Sequence, residues 1–172
     1  TAHTSRPEKG INALFLLIDQ LKDMGLGENR LWSILKAIDE KLRSPYGEAL
    51  GLDSESEYYE GEFVHRNVLT PTILEAKDGL CKLNVNIRFA YGFDEGRIVD
   101  GFQDFARAAG GRIVEKEMQS AVFVSQKKPF LKAFAKAYEE VSGFKNEFSL
   151  AYGGSYAKAI PNVVAWGPIF PG

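Results

Sequence analysis

The sequence predicts an α+β fold, and three features of its 172 residues lead there. The stretch CKLNVNIRFAY alternates apolar and polar side chains with period two, the mark of a strand with one wet face. Stripes of apolar residues at three- and four-residue spacing run before and after it, as amphipathic helices require. Helix, two strands, helix and a further strand-like segment is the order of a split βαββαβ sandwich, ferredoxin-like in plan, whose first strand would lie just before Thr1.

The first helix is expected over 11–24, where Ile11, Leu14, Phe15, Ile18 and Leu21 form one face and Gly25 supplies the stop. A second begins after Asn29, a good N-cap, with Leu31, Trp32, Leu35, Ile38 and Leu42 as its stripe, and ends at Ser44-Pro45. The next stretch, DSESEYYEGE, carries five acids in ten residues and reads as a solvated loop. Two strands follow, 68–77 and 81–91, joined through Asp78-Gly79, the residue pair that favours a tight antiparallel hairpin. In the second of them Cys81, Leu83, Val85, Ile87, Phe89 and Tyr91 point one way, and Lys82, Asn84, Asn86 and Arg88 the other.

A third helix over 95–109 turns Ile98, Phe102, Phe105 and Ala109 inward, with Asp94 and Gly110-Gly111 as its ends. Segments 112–118 and 121–124 read as strand. Composition then changes at SQKK, and Pro129 suits the first turn of a helix running to Val141 and closed by Gly143. A short strand near 148–152, the turn GGSYAKAIPN and an apolar run 163–166 have an α/β flavour but are too short to close a sheet. They are expected to belong to an incomplete second domain.

Composition narrows the function. A net charge of -2 and a pI near 5.8, with no run of basic residues, give no general attraction to nucleic acid or to anionic lipid. No apolar run approaches the roughly 20 residues of a membrane helix. A single cysteine, Cys81, permits no internal disulfide, and the cytoplasm is the default compartment. The opening TAHTSRPEKGINA places one of only two histidines at position three with no initiator methionine before it, which reads like the inside of a domain cut open. The chain is therefore expected to be a fragment.

Few residues could carry chemistry. HxxEH, CxxC and GxSxG are all missing from the sequence. His3 is a lone histidine, a type more often structural than functional, and Ser5 and Pro7 beside it are ordinary at a helix start. His65 has no metal-ligand partner at useful spacing and reads as a surface residue. Arg88 lies on the polar side of its strand, where a guanidinium on a rigid support can hold a carboxylate through two parallel hydrogen bonds, or can simply face water. Gly153 and Gly154 before Ser155 permit backbone N–H groups to point at an anion or a carbonyl, or make a plain turn, and match no phosphate-binding pattern.

Taken together, AHTSRPEKGINA, YGEALGL, the LTP strand with LNVNIRF, and GGSYAKAIPNVVAWGPIFPG resemble, in order and over nearly the whole chain, the co-catalytic zinc peptidases. That group includes aminoacylases, a desuccinylase, glutamate carboxypeptidases and carnosinase-like dipeptidases. The longer lid resembles that of the bacterial PepV-type (Xaa-His) dipeptidase branch. The resemblance implies a lid over residues 1–122 and the returning part of a catalytic domain over 123–172. It implies that His3 hydrogen-bonds the scissile carbonyl oxygen as charge develops there, that Arg88 grips the substrate's C-terminal carboxylate, and that Gly153, Gly154 and Ser155 close round the same end. The intact enzyme would hold two zinc ions sharing a water that a glutamate activates, with the ligands and the glutamate outside this chain, which alone would be inactive. Its expected partners are a dipeptide, the rest of its own catalytic domain and, through the lid, a second copy. Three departures stand out: IRFAYG replaces an R-Y-P form, Ser155 a threonine, and Lys158 an arginine. A deacetylase or desuccinylase of the same group, or a non-catalytic association module, are the alternatives.

Overall fold

Asparagine side chains set where the first two helices begin. The computed structural model describes residues 3–4, 6–25, 27–150, 156–160 and 163–165. Helix α1, Ala13–Asp23, starts after Asn12, whose Oδ1 accepts the Leu14 N–H at 3.0 Å, and α2, Arg30–Leu42, after Asn29, whose Oδ1 accepts the Trp32 N–H at 2.9 Å. Both bury the face their spacing predicts: Ile18 of α1 and Trp32, Leu35, Ile38 and Leu42 of α2 are enclosed. Ile11 and Leu31, expected in those stripes, are exposed instead; Ile11 lies outside the helix. Arg43 bonds to Asp19 and Asp39, and Lys22 to Asp39, so charges lace the outer edges of the two helices together.

The acidic stretch is more than a solvated loop. It folds into a small antiparallel pair, β1 Tyr58–Tyr59 and β2 Glu62–Phe63, turning through Glu60 and Gly61. The main hairpin follows as β3, Val68–Lys77, and β4, Leu80–Arg88. Asp78 and Gly79 join them with φ of 51° and 73°, the left-handed pair of a two-residue turn whose twist matches the strands. Pro71 has no N–H to give to the ladder, and the register shifts between it and Ile73. Asn12 uses the irregularity: its Nδ2 donates to the Pro71 carbonyl at 2.8 Å, so the residue that caps α1 also pins α1 to the strand.

A two-stranded hairpin is marginal without a layer packed on it. Here Leu69, Leu74, Leu83, Val85 and Ile87 line one face and pack with α1, α2, Leu52 and helix α3, Glu95–Ala108. Gly47 lets the chain turn beneath this core. Its φ is 76°, and a Cβ there would stand 2.9 Å from Leu69 Cδ1 and 3.0 Å from Leu52 Cβ. The opposite face is wet only near the turn. Lys82 and Asn84 are exposed, whereas Asn86 and Arg88 are half-buried.

The described residues form four α-helices and two antiparallel sheets, an α+β arrangement; the last helix, α4, is Pro129–Ser142. Segments 112–118 and 121–124, expected as strand, join no ladder among them, and neither do 148–150 or 163–165. A strand is a property of two segments, and β-favouring residues without a hydrogen-bonding neighbour remain irregular. Ile113 and Val114 are exposed, and 112–118 reaches the core only through Met118. The expected glycine turn lies outside the described residues, and its continuation, Tyr156–Ala159, is a 3-10 turn.

Among the described residues one polar residue, Asn67, is buried as a whole. Asn67, 1% exposed, donates from Nδ2 to the Leu52 carbonyl at 2.7 Å and accepts the Ala90 N–H on Oδ1 at 2.8 Å, while its own N–H donates to Ser54 Oγ at 3.1 Å. Asn67→Ala strands a buried carbonyl and a buried N–H, and is expected to destabilise the protein by about 3 kcal/mol, read from urea denaturation. A loss under about 1 kcal/mol would show the site to be wetter than described.

Candidate functional site

Arg88, singled out in the sequence, lies at the polar end of the hairpin face. Arg88 closes β4, opposite Val68, and shares a face with the pair Thr70–Asn86. The segment carrying His3 reaches this strand pair. Thr70 Oγ1 donates to the Thr4 carbonyl at 3.2 Å, a contact between residues 66 apart in sequence. The His3 carbonyl accepts the Arg6 N–H at 2.9 Å, which turns the chain into the short 3-10 helix Pro7–Lys9. His3 is exposed and Arg88 half-buried. Gly153, Gly154 and Ser155 lie outside the described residues; Lys158 is exposed on the 3-10 turn beyond them.

His65 is not the plain surface residue its sequence context suggests. It is half-buried, holds a φ of 66°, and its Nδ1 is hydrogen-bonded to the Arg66 carbonyl. A carbonyl can only accept, so Nδ1 carries the proton and, in the neutral ring, the lone pair sits on Nε2. Burial holds its pKa below the ordinary value; the bond to Arg66 works against that, and the positive charge of Arg88 adds to the lowering. Arg88 pairs with Val68, three residues beyond His65, so both lie toward the same end of the strand pair. Nothing in the sequence signals this, because the link runs across the strand pair.

The departure from R-Y-P has a structural counterpart. Ala90 stands where that form has proline, and its N–H is the one Asn67 accepts. A proline there carries no N–H, so this strand end is held by a bond that the R-Y-P form cannot make. Phe89 meanwhile packs against the core, and Arg66, which follows His65, donates to Asp53 at 2.7 Å and lies 3.9 Å from the Tyr46 ring centroid. The residues that follow Arg88 and His65 are thereby anchored.

Among the described residues no three His, Cys, Asp or Glu side chains come close enough to hold a metal ion. No described helix is long and apolar enough to cross a membrane.

The lowered pKa fixes a sign. Between its folded value and 6.5 the unfolded chain binds more protons at His65 than the folded one. This contribution to stability is thus present above pH 6.5 and is lost as the pH falls through the folded value. Replacing Arg88 by Met is expected to raise the His65 pKa, but not fully to the ordinary value because burial remains, as followed by the ring C–H shifts in NMR; an unchanged titration would separate the two side chains.

No family model matches the chain. The chain is similar over its whole length to "Putative dipeptidase YtjP" of Bacillus subtilis, at 30% identity, covering 36% of that protein. Over 98% of its length it is 24% identical to proteins named "Putative dipeptidase" in Staphylococcus saprophyticus and Staphylococcus aureus, covering 35% of each. The chain therefore spans about a third of the curated relatives it matches, and all three carry the name dipeptidase.

Proposed function

We propose that this chain is the substrate-gripping lid, residues 1–122, and part of the returning catalytic segment of a dipeptidase. The observation that carries the reading is the hydrogen bond from Thr70 to the Thr4 carbonyl, which joins the His3 segment to the strand pair bearing Arg88. The names of the relatives support the activity. A dipeptide offers a carbonyl and, one residue on, a free carboxylate. Arg88 supplies the planar fork that matches a carboxylate through two parallel N–H bonds, and half-burial makes each bond stronger than it would be in water. His3 supplies a movable donor for the carbonyl oxygen as charge develops on it, a role worth roughly 3 kcal/mol in preorganised sites. Holding the carboxylate at fixed distance from the carbonyl selects by length, since a longer peptide has no charge there. Zinc, implied by the resemblance, finds no cluster among the described residues, and the work assigned to this chain is binding and orientation.

The test uses the full-length protein. Arg88→Ala is expected to lower kcat/KM on free dipeptides by about 100-fold, the loss of a two-pronged charged contact, and to leave dipeptide amides unaffected. Equal losses on both substrates, or none, would remove Arg88 from the carboxylate. Faster turnover of N-acyl amino acids than of any dipeptide would move the reading to an amidase. His3→Ala is expected to lower kcat by about 100-fold with KM little changed, and the reverse pattern would make His3 a binding group only.

A further inference from the structure

We infer that Glu62 is a positioning residue: its carboxylate clamps the chain at 125–128 and so fixes the direction in which α4 leaves the hairpin. Glu62 lies in β2, opposite Tyr59, and its side chain is only 11% exposed. Oε1 accepts the Ser125 hydroxyl at 2.5 Å, and Oε2 accepts the Gln126 N–H at 2.7 Å. Ser125 Oγ accepts the Lys127 N–H at 3.2 Å, and the Ser125 carbonyl accepts the Lys128 N–H at 3.1 Å. One carboxylate thus grips a closed turn whose next residue, Pro129, is the first of α4. Lys127 Nζ adds a charge 4.0 Å from Oε1 and donates to the Glu60 carbonyl at 3.4 Å.

A second, apolar contact flanks the first. The rings of Tyr59, Tyr91 and Phe123 form a triangle with centroids 4.8, 5.2 and 5.3 Å apart, joining β1, the chain just after β4, and the crossover two residues before Ser125. Contacts of different chemistry two residues apart resist rotation of the crossover in a way that one alone does not. The small pair β1–β2 gains a purpose from this: it carries Tyr59 and Glu62 to the crossover. That the crossover is a hinge between a lid and a catalytic part rests on the function proposed above; the clamp itself does not.

The clamp has a pH signature. The hydroxyl of Ser125 and the amide of Gln126 hold the Glu62 carboxyl below its ordinary pKa, with the Lys127 charge assisting. Its contribution is present above the ordinary value of 4.5 and is lost as the pH falls through the lowered one.

The full chain tests it by amide exchange, read as protection corrected for intrinsic rates. Glu62→Ala and Ser125→Ala should each cut the protection of the Gln126 and Lys127 amides at least about tenfold while the β3 and β4 amides keep theirs. In the unsubstituted protein the same protection should fall on acidification, and in Glu62→Ala it should not. Spin labels at Lys82→Cys and Lys136→Cys, in a Cys81→Ser background, should give one narrow distance distribution that broadens in Glu62→Ala. Unchanged protection at Gln126, equal loss throughout the hairpin, or an unaltered distance distribution would overturn the proposal. None of these readouts depends on hydrolysis, so failure of the clamp and failure of the dipeptidase reading are separable.

Discussion

The amide of Asn67 is the constraint on which the polar end of this structure depends. It is enclosed, so its donor and its acceptor must both be met inside the protein, and the two partners are far apart in sequence: the carbonyl of Leu52 and the N–H of Ala90. Satisfying one buried side chain therefore fixes the loop that follows α2 to the exit of β4. Arg88 lies two residues before one anchor point and His65 two residues before Asn67 itself. Arg88 and His65 both owe their placement to an interaction neither of them makes.

The hairpin contributes what a core alone could not. Its apolar face is covered by helices, and its polar face is half-buried where Arg88, Asn86 and Thr70 lie. The N-terminal segment approaches that end because Asn12 and Thr70 provide successive points of attachment, to Pro71 and to Thr4. The bulge at Pro71 belongs to the same arrangement. A residue without an N–H interrupts the ladder, and its carbonyl is the acceptor for Asn12.

Much of this was legible in the sequence, and the limit of legibility follows the range of the interaction. Asn29 and Asp94 as caps, the buried stripe of α2, and the Asp78-Gly79 turn are local: the signal and the partner lie within four residues. Arg88 was identifiable because period-two alternation assigns its side. Segments 112–118 and 121–124 read as strand but form none, because propensity describes a segment while a ladder requires two. Asn67 and Glu62 carry no signal in the sequence, and His65 reads there as a surface residue, for the converse reason. Each is an ordinary polar residue in a polar stretch, and what gives it a role is a partner 15 to 64 residues away, or a charge across the sheet.

Charge at the Arg88 end then follows from burial. Burial disfavours the charged form of His65, and the positive charge of Arg88 disfavours it further. In the neutral ring the remaining proton, on Nδ1, is held by the Arg66 carbonyl. The guanidinium of Arg88 is then the charge carried at the end of β4. On the proposed reading that charge is matched to one carboxylate, and a neutral neighbour does not divide the anion between two cations. Acidification undoes the arrangement from both sides, since it charges His65 and begins to neutralise the ligand's carboxylate. On that reading, the burial that strengthens the hold of Arg88 on a carboxylate is the same property that lowers the His65 pKa beside it.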